Sequence, residues 1–456
     1  MEKRGRQDGI TTEQAKGRTQ RWQPLLPNLR RVNEAARNSG QTRFTALLHH
    51  VDVAALERAF RRQRRAASPG ADRVTVDDYE RELEANLRRL YDSIHSGQYW
   101  PKPVRRTYIP KADGGRRPLG IPALEDKIVQ GAVAEVLNAV YEADFMGFSY
   151  GFRPVRSPHA ALAALDKALM TQRVDWVLDV DIRTFFDSVD HGWLMRMLTH
   201  RIADRRVLRL IERWLKAGLL ESGRWEPVEV GTPQGSGISP ILANVFLHYA
   251  VDRWVHRWRR RLAAGQVIIC RYADDLVIGC QHEAEARQLL AELKDRLAQF
   301  GLSLHEGKTR LIEFGRFAAE RRAAAGQRRP ETFAFLGFTH YCGRTRSGRF
   351  VVKRKTQATR MVRKLKAVRQ DLLHRMHAPV REQHRWLGQV LRGHYRYYGV
   401  IFNYRALRVF KDCVVRLWRK VLRKRSQKGR VSWASYKSIL TAFPLPEPVL
   451  HQAWHG

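Results

Sequence analysis

The sequence predicts an α+β fold, with an antiparallel sheet and helices through its middle and an all-α C-terminal third. Three observations lead there. Between residues 99 and 340, short β-branched runs bounded by Gly, Pro, Asn and Asp alternate with stretches of helical period. From about Lys353 the pattern changes to basic amphipathic helices. The charge changes with it: residues 341–430 hold 27 Lys and Arg against 3 Asp and Glu, in a 456-residue chain of net charge +38.

The length suits about three domains, and a hydrophobic content of 44% excludes wholesale disorder. No run of eighteen apolar residues predicts a membrane span. Met1 to Gln20 is polar, without the apolar core of a secretory signal. Cys270, Cys280, Cys342 and Cys413 are scattered and form no Cys-x-x-Cys pair, which excludes a zinc ribbon and argues against a disulfide framework. A reducing, cytoplasmic setting is expected. The concentrated positive field points to a polyanion, nucleic acid first. A merely solvated basic face is the plainer alternative, and it accounts poorly for ninety residues with almost no acid.

Taken in order, the first forty residues read as a loosely ordered basic arm. Asp52 to Arg65 has helical spacing through Val53, Leu56 and Phe60; Ser68-Pro69-Gly70 breaks it, and Val76 to Ile94 is a second amphipathic helix. Tyr99 to Pro122 reads as a β-hairpin turning at Ala112-Asp113-Gly114-Gly115. Helices follow near 125–143 and 158–172. Trp176 to Ile182 is a short strand bearing Asp179 and Asp181, and Asp190 is a good N-cap for the next helix. Helices reach Leu220, and Glu226 to Val230 is a candidate strand. Ile238 to Arg261 opens as a loop and becomes a long helix. Val267 to Cys280 reads strand–turn–strand with Ala273-Asp274-Asp275 at its tip. A helix near 283–300 and strands at 302–314 and 332–340 follow, then basic helices at 353–376, 380–398 and 405–425. A Pro-rich stretch, Phe443 to Pro448, lies in the tail.

The adjacent acids Asp274 and Asp275 are flanked by Val267-Ile268-Ile269 and Leu276-Val277-Ile278. Two carboxylates at a tight turn repel unless a positive group lies between them. A divalent cation would serve, and hard cations take carboxylate oxygen. Alone, the pair reads more readily as a plain surface turn. Asp181 supplies a second acid-tipped strand, and two such strands side by side suit a pair of metals about 4 Å apart. Asp179 lies on the same strand face as Asp181; spacing leaves open whether it holds metal or pairs with a base.

Six blocks in order resemble the reverse transcriptases encoded within bacterial group II introns, across about residues 45–420. They are Tyr108-Ile-Pro-Lys111 with Arg117-Pro-Leu-Gly-Ile-Pro122, Asp181-Ile-Arg-Thr-Phe-Phe-Asp187-Ser-Val-Asp-His191, Gly231 to Pro240 with Leu242-Ala-Asn244, Arg271-Tyr-Ala-Asp-Asp-Leu276, Leu304-His-Glu-Gly-Lys-Thr309, and Phe335-Leu-Gly-Phe338. The resemblance implies a right-hand polymerase fold. Its expected divisions are a basic arm (1–45), fingers (46–175), palm (176–345), a helical thumb or maturase domain (346–425) and a short tail (426–456). It implies an RNA-directed DNA polymerase using two Mg²⁺ ions, with Mn²⁺ as a substitute, held by Asp181, Asp274 and Asp275; Ile182 belongs to the same metal-binding set.

For the nucleotide pocket the resemblance implies Lys111, Arg117, Gln234 and Lys308. A Lys point charge and an Arg fork suit triphosphate oxygens. One of Phe185 and Phe186 would exclude a 2′-hydroxyl, the +5 spacing from Asp181 favouring Phe186. Within Leu391-Arg-Gly-His-Tyr-Arg-Tyr-Tyr-Gly399, the residues Arg392, His394, Tyr395, Arg396 and Tyr397 are expected RNA contacts, with at least half of the aromatics packing between helices. Expected partners are group II intron RNA, a DNA primer or target and dNTPs, with no membrane; a homodimer is left open. The chain shows no Cys-pair or His-Asn-His-like endonuclease pattern, and Lys424, Arg425, Lys428, Arg430 and Trp433 are candidates for DNA contact. Two other readings are a related polymerase recruited to phage defence or CRISPR spacer acquisition, and a non-catalytic splicing factor, which would be expected to have lost the acids.

Overall fold

The computed structural model describes residues 27–110, 115–221, 224–232, 235–327, 329–425 and 431–451. The chain divides into two compact units, one of residues 1–168 and 177–311, the other of residues 169–176 and 312–456. The first unit takes in most of the expected fingers (46–175) and the expected palm as far as residue 311, and residues 312–345 of the expected palm belong to the second unit.

The first unit is organised on the Leu124–Tyr141 helix. Leu124, Ile128, Val129, Ala132, Val133, Val136, Leu137 and Val140 are all buried, so apolar side chains cover most of its circumference and it must lie inside. The Pro27–Asn38, Val53–Arg61 and Ser239–Leu247 helices pack on it. The first of these replaces the expected loose arm over the residues described. Its buried Asn33 donates from Nδ2 to Ala139 O at 2.8 Å, and its apolar stripe (Leu29, Val32, Ala36) faces inward. Asp52 caps the Val53–Arg61 helix by accepting from Ala55 N at 2.7 Å. The second expected helix is broken in two, Val76–Glu80 and Leu83–His95, the former opened by a Thr75–Asp78 capping box.

The hairpin is present as β1 (Val104–Pro110) and β2 (Arg116–Ile121), antiparallel, with Ile109 opposite Arg117. Its turn residues 111–114 lie outside the described residues. β3 (Trp176–Asp181) follows the Pro158–Thr171 helix. The candidate strand at 226–230 is displaced upstream: β4 (Leu219–Glu221) pairs with β5 (Arg224–Glu226), and β4 runs parallel to β1, giving the order β2-β1-β4-β5. Val230 keeps only an isolated bridge to Asp190. The long helix after Ile238 is one run with a π turn inside it: Ser239–Leu247, then His248–Asp252, then Arg253–Arg261.

β6 (Val267–Tyr272) and β7 (Asp275–Cys280) form the acid-tipped hairpin. With β8 (Arg310–Glu313) they make a sheet of order β6-β7-β3-β8, so β3 lies directly beside β7. Both hairpin strands are almost wholly buried, consistent with their unbroken apolar runs.

The second unit holds an antiparallel sheet of β9 (Thr332–Phe335), β10 (Phe338–Arg344) and β11 (Phe350–Thr356), with β10 central. The expected helix from residue 353 therefore starts later, because Val351 and Val352 complete a strand. Leu336 (φ +49°) and Gly337 (φ +82°) make the two-residue turn between β9 and β10, whose right-handed twist favours positive φ at both places. Helices Ala358–His374, Val380–Tyr398, Tyr404–Leu422 and Trp433–Ala442 complete the unit. Its core includes the fully buried Trp418, whose Nε1 donates to Gln383 Oε1 at 2.8 Å. Buried Asn403 binds Thr356 and the Tyr398 carbonyl, tying β11 to two helices. Among the described residues no helix is long and apolar enough to cross a membrane.

Candidate active site

β6 and β7 pair with Tyr272 opposite Asp275, leaving Ala273 and Asp274 as a two-residue turn. Ala273 takes φ +57°, a conformation usually given to Gly at the first central position of such turns. Asp274 and Asp275 are each half-buried. Burial, and secondarily the Asp275 charge, raise the Tyr272 phenol above its ordinary range. On the neighbouring strand Asp181 is the last residue of β3, also half-buried.

The segment Ser303–Thr309 wraps the end of β3. Arg183 N donates to Ser303 O, His305 N to Asp181 O at 2.8 Å, and Ile182 bridges Leu304. This places Lys308 at the strand end, where its Nζ donates to Asp181 Oδ2 at 3.1 Å. Asp179 stands 3.8 Å from Arg310, so a base faces it. Among the described residues no group of three or more His, Cys, Asp and Glu side chains is gathered closely enough to hold an ion. Asp181 Oδ2 is instead met by an ammonium.

Next to Asp181 lies the Phe185–Asp187 turn, entered through Thr184 in the left-handed conformation (φ +42°). The two phenylalanines part here. Phe185 is 2% exposed and packs on Phe246, whereas Phe186 is half-exposed and lies edge-on to Phe152, itself 40% exposed. The backbone after Val230 runs along this turn: Thr232 N donates to Phe186 O at 2.7 Å, and a Cβ at Gly231 would meet the Phe186 and Asp187 carbonyls at 3.0 Å. Gly235 (φ +116°) lies against β2, where a Cβ would be 2.5 Å from Gly120 O. Gln130 Oε1 accepts from Ser236 Oγ and Gly237 N, fixing the far side of the loop. Arg117 is half-exposed on β2. Lys111 and Gln234 lie outside the described residues.

In the second unit, the Val380–Tyr398 helix sorts its residues by face. Gln383, Leu387, Leu391, His394, Tyr395 and Tyr398 form the buried stripe. His394 and Tyr395 therefore do not present an RNA-binding surface. His394 stacks on Phe410 at 3.7 Å, burial holding its pKa down at about 3, and Tyr395 donates to Pro446 O. Tyr397 is half-exposed, its hydroxyl donating to Leu336 O. Arg392 and Arg396 are exposed. Of the tail candidates, Lys428 and Arg430 lie outside the described residues, Arg425 donates to the Met376 and Ala378 carbonyls, and Trp433 is 50% exposed with the Arg419 guanidinium over its ring.

Reading by residue type overlooked a buried polar cluster behind the acidic turn. Arg271, Asp252, Asn244 and Ser149 are each no more than 1% exposed, and the other three all accept from the Arg271 guanidinium. The available signal was Arg271 itself, a charge at the end of an apolar strand, which must find a buried partner.

Acid-bearing ends of adjacent strands, a half-exposed phenylalanine beside them and basic side chains nearby make a site suited to phosphoryl transfer. Residues 109–340, half of the chain, match the family described as reverse transcriptase (RNA-dependent DNA polymerase), and the chain belongs to that family. Protein YkfC of Escherichia coli (strain K12) is 36% identical over 253 residues, covering 48% of this chain and 66% of YkfC. The group II intron-encoded protein LtrA of Lactococcus lactis subsp. cremoris is 39% identical over 191 residues, covering 42% of this chain and 31% of LtrA. Nuclear intron maturase 1, mitochondrial, of Arabidopsis thaliana is 33% identical over 95 residues, covering 21% of this chain and 13% of that protein. The matches span less than two thirds of each of these relatives.

Proposed function

We propose that this protein copies RNA into DNA, and that it binds a group II intron RNA to assist splicing and mobility. The observation that carries the first part is the Asp274-Asp275 turn beside the Asp181-tipped strand, in a chain of the reverse transcriptase family. The donor set is three carboxylates, hard oxygen ligands that fit Mg²⁺ or Mn²⁺, and Asp181 Oδ2 already meets a cation, the Lys308 ammonium. Asp181, Asp274 and Asp275 would hold two such ions, with the Ile182 backbone alongside. When bound, the ions lower the pKa of the primer 3′-hydroxyl and neutralise charge on the triphosphate and leaving pyrophosphate.

The chain's own groups bind and orient. Arg117 reaches triphosphate oxygens from β2, and Lys111 is assigned to the same oxygens by the family resemblance. Gln234 is assigned to the nucleotide pocket by the family resemblance. Lys308, which is exposed, exchanges its Asp181 contact for a phosphate or primer oxygen. Phe186 excludes a ribose 2′-hydroxyl by bulk, since Phe185 is occupied in the core. Phe186→Ala is expected to raise ribonucleotide use relative to deoxynucleotide, as a ratio of kcat/KM values, by at least about tenfold. Phe185→Ala is expected to leave that ratio unchanged and to destabilise by about 3 kcal/mol or more. An unchanged ratio in Phe186→Ala removes Phe186 from the sugar-binding role.

Template and intron RNA are held by the basic surface after Lys353, including Arg392 and Arg396, through phosphate contacts. With about six such contacts on single-stranded RNA, raising salt from roughly 50 to 200 mM weakens binding by on the order of a few hundred-fold. A flat salt response defeats the electrostatic model. The polymerase reading is tested by extension of a DNA primer on an RNA template with Mg²⁺ and dNTPs; no extension overturns it. Splicing of the intron at low Mg²⁺, with and without protein, tests the second part.

A further inference from the structure

Arg271 lies three residues before Asp274, and its guanidinium reaches four different groups. Nε and Nη2 form a fork onto Asp252 Oδ1 and Oδ2 at 2.7 and 2.6 Å. Nη2 also donates to Ser149 Oγ at 2.6 Å. Nη1 donates to Asn244 Oδ1 at 3.2 Å and to Ala273 O at 3.0 Å. That last contact folds the side chain forward onto the backbone of the acidic turn.

The turn needs holding. Ala273 has a Cβ and takes φ +57°, which residues other than Gly adopt only where their surroundings impose it. Its other flank is Gly151, so close that a Cβ there would lie 2.2 Å from Ala273 N. The Gly151 carbonyl accepts from Asn244 Nδ2 at 2.7 Å. Backbone bonds bring the same segment to β6: Arg271 N donates to Phe148 O, and Tyr150 N to Arg271 O. One amide, Asn244, thus binds both the guanidinium inside the turn and the backbone packed against it.

The π turn at His248–Asp252 explains how one helical run supplies both partners. Eight α-helical residues separate side chains by about 80° around the axis. One extra residue taken up in a π turn leaves Asn244 and Asp252 within about 20° of each other.

We propose that Arg271 and Asn244 are positioning residues for nucleotide transfer, setting the Ala273–Asp275 backbone and hence where the two carboxylates stand. This rests on the reading of Asp274 and Asp275 as the metal-holding pair. The test compares wild type with Asn244→Ala, Asn244→Asp and Arg271→Lys. Primer-extension kcat and dNTP KM are followed together with the thermal midpoint and amide exchange across residues 271–276.

For Asn244→Ala we expect a cooperative fold, a dNTP KM within about threefold and a kcat reduced by about 30- to 100-fold, the scale of a small misplacement of reacting groups. Exchange across the turn is expected to rise. Asn244→Asp keeps the acceptor for Arg271, loses the donor to Gly151 and recovers only part of kcat. Asn244→Ala with kcat within threefold of wild type and unchanged exchange overturns the proposal. So does a loss confined to KM, or one that disappears when the assay is cooled well below the thermal midpoint. Should Arg271→Lys not fold, the two Asn244 variants decide alone. A wild-type protein that does not extend primers overturns the polymerase reading, and the exchange measurement still decides whether Asn244 holds the turn.

Discussion

Asp274→Asn and Asp275→Asn, made singly, are each expected to reduce primer extension by at least about 10³-fold while leaving RNA affinity within about twofold. The size follows from the chemistry asked of the site. Removing one preorganised group that acts only on transition-state charge commonly costs 10²- to 10³-fold, and a carboxylate that also holds an ion loses the ion's contribution with its own. Asparagine nearly preserves shape, so a half-buried turn residue tolerates it, and the thermal midpoint is expected to stay within a few degrees. In the proposed function RNA affinity is assigned to the basic C-terminal third, where residues 341–430 hold 27 cations against 3 acids, so it is expected not to depend on these two charges. Single-turnover extension and filter binding on the same preparations check both halves. Activity above about a tenth of wild type in either variant would take that residue out of the metal site.

Asp252→Ala is expected to destabilise the first unit by about 3–5 kcal/mol, the usual cost of leaving one half of a fully buried ion pair uncompensated. The Arg271–Asp252 fork is 1% and 0% exposed at its two ends, and no solvent reaches it to screen the stranded guanidinium. By contrast the surface pairs, such as Arg88–Glu84 at 69% and 79% exposure, are worth well under 1 kcal/mol each. Calorimetry should show the first unfolding transition displaced downward in Asp252→Ala and scarcely moved in Glu84→Ala. A displacement equal for both would mean that the buried cluster is not a closed unit.

Much of this molecule was legible from residue order. Asp190 read as a helix cap, and it accepts the expected backbone hydrogen bond from Trp193 N. The Val267–Cys280 hairpin was visible because two apolar runs flank a short acidic turn, a pattern that has one compact solution. Asp179 was left between metal and base, and Arg310 faces it. The errors have physical causes. Lys353 to Lys355 looked helical because charge density was read as period; in space they continue an antiparallel strand whose buried residues are Val351, Val352, Arg354 and Thr356. Within Leu391–Gly399 the aromatics mixed with arginines suggested RNA contacts at His394, Tyr395 and Tyr397, with at least half of the aromatics expected in the core. A helix separates residues at i from those at i+1 and i+2, so His394 and Tyr395 turn inward while Arg392 and Arg396 stay in water.

The sequence alone determined the chemistry of the site: which acids stand at strand ends, which base-rich helices follow, and in what order the blocks occur. These are properties of neighbouring residues and of periods of two and 3.6, and they survive without coordinates. Tertiary structure decided which phenylalanine is exposed, which base meets Asp181, and what holds the acidic turn in its unfavourable conformation. Arg271, Asn244, Asp252 and Ser149 are separated by up to 122 positions. Their association depends on a π turn rotating one side chain onto another's face, a change in helical phase that local pattern does not reveal.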